Sequence, residues 1–344
     1  MRNTLKKIFA LLLSSLLVLG IFTACNAEKT PATEAGPTEP AEEAKVLKVL
    51  TLGHSLAVDC GHMMNLILAT EGIGEYEEVE VATLYYSGCP LYKHVKFMTE
   101  NAPEYNLYVS STATPDAPPQ IMQDVTMLDS LKYDYWDIII MQGGVFEIAR
   151  EGTYQNGDIQ LIQNYVNENK LNPLAYFAWH MAWATPVDNT LRDKYPYENN
   201  SYYTSYEVYN HQRSGFYEGI AQCVKDYIAT DETFKFIIPA GTAIENALSS
   251  YLEEADLHRD YAHASDLGRL VASYTWYCKL MGVEKLEEIK LDAIPKVFLK
   301  STEDKSQDRP ITEAEKAIIL EAVNNALQNP LQMTQSQYTE APAQ

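Results

Sequence analysis

The chain has 344 residues, 26 of them basic and 47 acidic, for a formal net charge of −21. A field of that sign repels phosphate backbones, which excludes nucleic acid as an expected partner. The five cysteines form no Cys-x-x-Cys and the seven histidines are scattered, so neither a disulfide scaffold nor a metal site is expected, and no cofactor is implied.

The first 25 residues are read apart from the fold. Arg2, Lys6 and Lys7 form a basic start, and residues 8–24 carry no charge, the pattern of a secretory signal. Phe22-Thr23-Ala24-Cys25 ends the run and resembles the lipobox of bacterial lipoproteins, with Phe where Leu is usual. That resemblance implies cleavage before Cys25 and a lipid on its thiol; an ordinary signal peptide or an uncleaved anchor is the alternative. Cleavage removes three positive charges and no negative ones, taking −21 to −24. Residues 26–45, rich in Pro, Glu, Ala and Thr, cannot bury enough apolar surface to fold and read as a disordered tether. The expected location is extracytoplasmic, at a cell membrane through Cys25.

One folded domain is expected over 46–330, followed by a flexible tail over 331–344. Residues 46–52 read as a buried strand ended by Gly53, and 56–70 as a helix with Met63, Met64, Leu66, Ile67 and Leu68 on a broad apolar face. Residues 77–86 alternate like a strand, Ser87-Gly88-Cys89-Pro90 turns the chain, and 91–98 form a short helix. A minor strand at 106–111, pairing near Thr114, precedes a helix over 120–131. The buried strand 136–142 is broken by Gly143-Gly144; a helix at 158–169 and an aromatic-rich strand at 173–180 follow. Residues 184–203 have no clean period and read as an inserted loop, and six tyrosines between Tyr195 and Tyr209 suit sugar contacts or, alternatively, pack a Tyr-rich loop onto the domain. A helix at 206–228, the last strand at 234–239, and helices at 242–252, 265–281 and 312–327 complete the chain. The last is opened by the capping signature Thr312-Glu313-Ala314-Glu315.

Strands alternating with helices imply a three-layer α/β/α fold of flavodoxin-like type, with a mainly parallel central sheet covered on both faces. Ligands of such sheets bind beyond the carboxyl ends of the strands. Ser55, Gly88, Gln142 and His180 all follow predicted strands and therefore share one rim.

A serine hydroxyl needs a base to act as a nucleophile. At a strand-to-helix turn Ser55 has backbone amides nearby that can stabilise an oxyanion; the alternative is that it merely caps the helix. Asp260 and His263 are three apart, so on a helical turn both lie on one side and the carboxylate can orient the imidazole. His258 and Asp256, at spacing two, diverge on a helix. His94 and His180 are candidates to line the pocket or to be buried and hydrogen-bonded, and Trp179 and Trp183 read as core. Cys60 and Cys89 lie close to motif residues, but pairing among Cys60, Cys89, Cys223 and Cys278 cannot be read from spacing.

Gly53-His54-Ser55 after the first strand, Ser87-Gly88, and Asp260-x-x-His263 before a helix resemble the SGNH (GDSL-type) hydrolase superfamily. The segments 50–55, 87–94, 238–246 and 259–269 are closer still to a bacterial branch known as domain of unknown function 4886. The resemblance runs from about Val46 to Gly282 and implies Ser55 as nucleophile, His263 as base, Asp260 as its orienter, and Gly88 with the Ser55 amide as oxyanion donors. Two positions depart from the superfamily pattern. His54 stands where Asp or Asn is usual, and Gln142-Gly143-Gly144 replaces the Gly-x-Asn-Asp block. Gln142-Gly143 resembles the Gln-Gly of sialate-acetylesterase-like relatives, in which a side-chain amide can substitute for the missing Asn.

The function so implied is a lipid-anchored serine esterase acting on small acyl esters, acetyl above all, carried by a small molecule or a glycan. The alternative is a non-catalytic glycan- or solute-binding lipoprotein on a degenerate hydrolase fold.

Overall fold

A Val/Leu-rich run interrupted only by Lys48 and Thr51 makes β1 (Val46–Gly53) a strand largely buried on both faces, and the rest of the domain is arranged around it. The computed structural model describes residues 44–145, 147–186, 212–294 and 309–342. Six further strands join β1: β2 (Glu78–Tyr85), β3 (Tyr105–Ser111), β4 (Gln120–Val125), β5 (Ile138–Gln142), β6 (Tyr176–His180) and β7 (Phe234–Ile238). Their order is β4-β3-β2-β1-β5-β6-β7. The five from β2 to β7 run parallel, while β3 and β4 add an antiparallel edge beyond β2.

Helices cover both faces. One layer holds α1 (Ser55–Glu71), α7 (Ala240–Leu248), α9 (Asp266–Met281) and α10 (Glu313–Gln328), packed on one another. The other holds α2 (Leu91–Glu100), α3 (Met127–Tyr133) and α5 (Asp158–Asn169). The short α4 (Glu151–Gln155) precedes α5, and α6 (Arg213–Cys223) runs into a π turn whose Tyr227 stacks on Tyr154. A one-turn helix, α8 (Glu254–Leu257), leads into the segment carrying Asp260 and His263. The fold is thus the three-layer α/β/α arrangement expected.

The strand order decides where a ligand can sit. The chain leaves β1 toward β2 on one side, whereas β5 pairs on the other, so the carboxyl ends of β1 and β5 flank a topological switch point. Leu52 lies beside Met141, and Gln142 beside His180, so these ends are level.

Two expectations are corrected. Residues 120–131 are not one helix: Gln120–Val125 is the edge strand β4, and the chain turns at Asp124 (φ 55°) before Thr126 and Asp129 close a capping box that starts α3. The edge strand exposes most of its side chains, so it carries no strand-like apolar alternation. Nor do residues 331–342 hang free. The Thr334 amide donates to Asn246 Oδ1 (2.7 Å), the Ser336 amide to Ser249 Oγ (2.8 Å) and the Tyr251 amide to the Tyr338 carbonyl (2.8 Å), while Ser336 Oγ bonds Glu321. The polar residues that made this segment look unfoldable are those that strap it across α7 and α10.

Candidate active site

The elbow after β1 is set by His54 rather than by Ser55. His54 is the N-cap of α1: the Leu56 amide donates to its Nδ1 (3.3 Å), and its Nε2–H donates to the Gly143 carbonyl (2.8 Å). Acceptance at Nδ1 requires the neutral imidazole, and burial lowers its pKa to about 4. The cap position being filled, Ser55 is the first residue of α1 and its hydroxyl is released from that task. Its amide is one of the four that a helix leaves without an intrahelical partner. Gly53 is closely approached: a methyl there would sit 2.7 Å from Gln142 Oε1 and 3.1 Å from Ala57 Cβ, so the Gln142 amide would have to shift.

Across the switch point the segment 258–265 brings in the partners. His263 Nε2 lies 2.8 Å from Ser55 Oγ, and His263 Nδ1 lies 2.8 and 3.0 Å from the two Asp260 oxygens. The tautomer that satisfies both contacts has Nδ1–H donating to Asp260 and Nε2 accepting from the serine hydroxyl. Asp260 and His263 do not share a helical turn. Asp260 Oδ1 instead accepts the amides of Ala262 (2.9 Å) and His263 (2.8 Å), an Asx-type turn that folds the carboxylate against the imidazole. Burial pushes the Asp260 pKa up, but the bonds from the His263 ring and the two amides outweigh it, and the net shift is downward. The Trp183 indole donates to the Ala262 carbonyl (2.9 Å), bracing the turn from below. Ser55 and His263 are partly exposed, whereas Asp260 is buried.

The remaining candidates divide. Gly88 adopts φ 57° in the turn after β2, a region open to glycine, and the Tyr86 amide ties that turn to the Gly53 carbonyl (3.4 Å). Gln142 lies wholly buried beneath the elbow with Oε1 accepting the His54 amide (3.3 Å); among the described residues its Nε2 has no hydrogen-bond partner. Gly143 serves His54 through its carbonyl.

His94 and His180 do not line the cleft. His94 Nδ1 pairs with the Tyr105 hydroxyl (2.9 Å) under a stacked ring. His180 is packed by Trp183 and Trp276, with Cys60 Sγ 3.9 Å away. Burial lowers both pKa values to about 3. Trp179 and Trp183 are core. Cys60, Cys89, Cys223 and Cys278 are all free and buried. Among the described residues no three His, Cys, Asp or Glu side chains are grouped so as to hold a metal ion. Cys25 and the stretch from Tyr195 to Tyr209 lie outside the described residues.

Asp59, Arg259 and Arg269 stand outside the catalytic motifs, yet all three are gathered beside the site. A lone acid in the apolar opening of α1, four residues after Ser55, is the signal that could have found the first.

The profile of the family described as Domain of unknown function (DUF4886) matches residues 48–295, more than half of the chain. The chain belongs to this family. A crystal structure of a DUF4886 protein from Bacteroides uniformis ATCC 8492 is similar at 22% identity with a TM-score of 0.66, over 86% of this chain and 100% of that one. A protein from Slackia heliotrinireducens, provisionally assigned as an SGNH hydrolase, aligns at 16% identity and a TM-score of 0.39, over 67% of this chain and 97% of its own. A gut microbial diltiazem-metabolizing enzyme aligns at 12% identity and a TM-score of 0.37, over 70% of this chain and 48% of its own. No curated protein matches. The DUF4886 match spans both halves of the Ser55–His263–Asp260 constellation.

Proposed function

We propose that this protein is a serine hydrolase that cleaves carboxylic esters by two-step acyl transfer. One observation carries the reading: an unbroken hydrogen-bond chain from Ser55 Oγ through His263 to Asp260, at the rim where the fold opens. The SGNH-like order of the motifs supports it. Ser55 Oγ attacks the ester carbonyl carbon while His263 Nε2 takes its proton, and Asp260 stabilises the imidazolium. The oxyanion meets the Ser55 and Gly88 amides. His263 then protonates the departing alcohol, and water, deprotonated by the same imidazole, releases the acid and restores Ser55.

The proposed substrate is a small acyl ester, acetyl first, on a neutral carbohydrate or other small molecule. The strongly acidic chain disfavours polyanionic carriers, and the tyrosines between Tyr195 and Tyr209 suit sugar rings. We also propose export and lipid attachment at Cys25, on the strength of the basic start, the uncharged run and the residues before that cysteine.

A fluorophosphonate probe tests the mechanism. The expected result is stoichiometric labelling of the wild type and none of Ser55→Ala, with p-nitrophenyl acetate turnover lost in both Ser55→Ala and His263→Ala. An unlabelled wild type, or equal labelling of Ser55→Ala, overturns the reading. Glycan binding without turnover, persisting in Ser55→Ala, would point to a binding protein instead.

A further inference from the structure

The serine and the histidine stand 208 residues apart in sequence, and a single hydrogen bond joins their side chains. Such a bond contributes only about 1 kcal/mol net, too little by itself to hold a helix and a loop in reactive register. The tie between them is Asp59. It lies one turn after Ser55 on α1 and is 1% exposed. Its Oδ1 accepts Arg259 Nη1 (2.9 Å) and Arg269 Nε (3.1 Å), and its Oδ2 accepts Arg259 Nη1 (3.1 Å) and the Ala264 amide (3.0 Å).

Those donors lie before, directly after and beyond His263. Arg259 also bonds the Ala264 carbonyl, and its amide donates to the His263 carbonyl (3.0 Å). Arg269, wholly buried in α9, pairs in addition with Asp266 (3.0 Å). Behind them Gly268 leaves no room for a side chain against the Leu257 carbonyl, so α9 lies directly against the end of α8. Burial pushes the Asp59 pKa up, but Arg259 and Arg269 outweigh it and hold the carboxylate at about 2. If adhesion were its only role, a well-packed apolar cluster would serve as well as a buried ionic one. The arrangement differs in that one carboxylate, on the nucleophile's own helix, grips a side chain before the base and the backbone amide directly after it.

We infer that Asp59 is a positioning residue: it clamps the segment 259–264 onto the helix that bears Ser55 and so sets the separation of serine and imidazole. Its kinetic consequence rests on the serine-hydrolase reading; its structural consequence does not.

The test uses the full chain with Asp59→Asn, and with Arg259→Gln as a milder variant that leaves Asp59 paired with Arg269 if the first fails to fold. Amide exchange by mass spectrometry reads the clamp, and p-nitrophenyl acetate kinetics per folded molecule read positioning. In Asp59→Asn, exchange across 259–264 should rise at least about tenfold with α1 still protected, while kcat falls about 100-fold and KM stays within about twofold, as expected for a small misplacement of reacting groups. Arg259→Gln should act in the same direction, with kcat lowered about tenfold. Unchanged exchange at 259–264 overturns the clamp. Faster exchange with unchanged kcat overturns positioning and leaves a structural ion pair. If the wild type neither labels nor turns over, the hydrolase reading falls, and the exchange result still decides the clamp.

Discussion

The imidazole of His263 stands on a loop and is held by its neighbours rather than by a helix, which makes Asp260 the most sensitive of its partners. Asp260→Asn keeps an oxygen for the Ala262 and His263 amides but can turn an NH2 toward Nδ1, favouring the tautomer that cannot accept the serine proton. We expect kcat to fall on the order of 10³–10⁴-fold, with little change in melting temperature; a loss below tenfold would place Asp260 outside the mechanism. His54 should behave differently. Asn is a good N-cap, so His54→Asn keeps the cap of α1 while losing the bond to Gly143 and part of the buried ring. It should therefore melt above His54→Ala, which loses both and is expected to cost about 1–2 kcal/mol. Equal melting of the two variants would remove the capping role. The residues of the catalytic proposal were legible because their chemistry is local: a Ser after a strand, a Gly in a turn, an Asp-x-x-His. Asp59 was not, since its significance arises only where α1 meets a loop two hundred residues away. Strand-end position also said nothing of side-chain direction, which is how His180 came to be expected at the rim although it points into the core.

Among the elements, the strand–helix alternation was readable where apolar runs are buried on both sides, as in β1 and β5. It failed at β4, an edge strand whose exposed side chains give no period, although the capping pair Thr126 and Asp129 marked where the helix begins. It failed again at the carboxyl terminus, because a strap held by polar contacts resembles an unstructured tail in composition. The strap should matter energetically. A chain ending at Leu331 loses the partners of the buried Asn246 Oδ1, of Ser249 and of the Tyr251 amide, and should be less stable by about 2–4 kcal/mol. Denaturant unfolding of the truncated and full chains measures this, and coincident curves would show the strap to be inert.

Across the whole molecule, the buried histidines make stability depend on pH. Burial holds His54 and His258 at about 4, and His94 and His180 at about 3, against 6.5 when unfolded. Between pH 6.5 and about 4 each takes up a proton on unfolding, so stability falls as the pH is lowered through that window. Glu245 acts in the opposite sense: burial raises its pKa to about 7, so its contribution is lost as pH rises from the ordinary carboxylate range toward 7. Glu80 and Glu147, also raised by burial, act in the same sense as Glu245; the four histidines outnumber these carboxyls, and the urea midpoint should be lower at pH 5 than at pH 7. Equal midpoints would mean that these histidines are protonated in the folded state.

The four cysteines carry one last consequence. Each is buried with a free thiol, and burial keeps all four protonated: Cys278 is pushed up to about 12, Cys223 to about 11, and Cys60 and Cys89 also rise. A thiol that cannot become thiolate is a poor target for oxidants and alkylating agents. The domain therefore asks nothing of the redox machinery around it. It should refold as readily in dithiothreitol as in air, and should be producible in reducing cytosol without loss of structure.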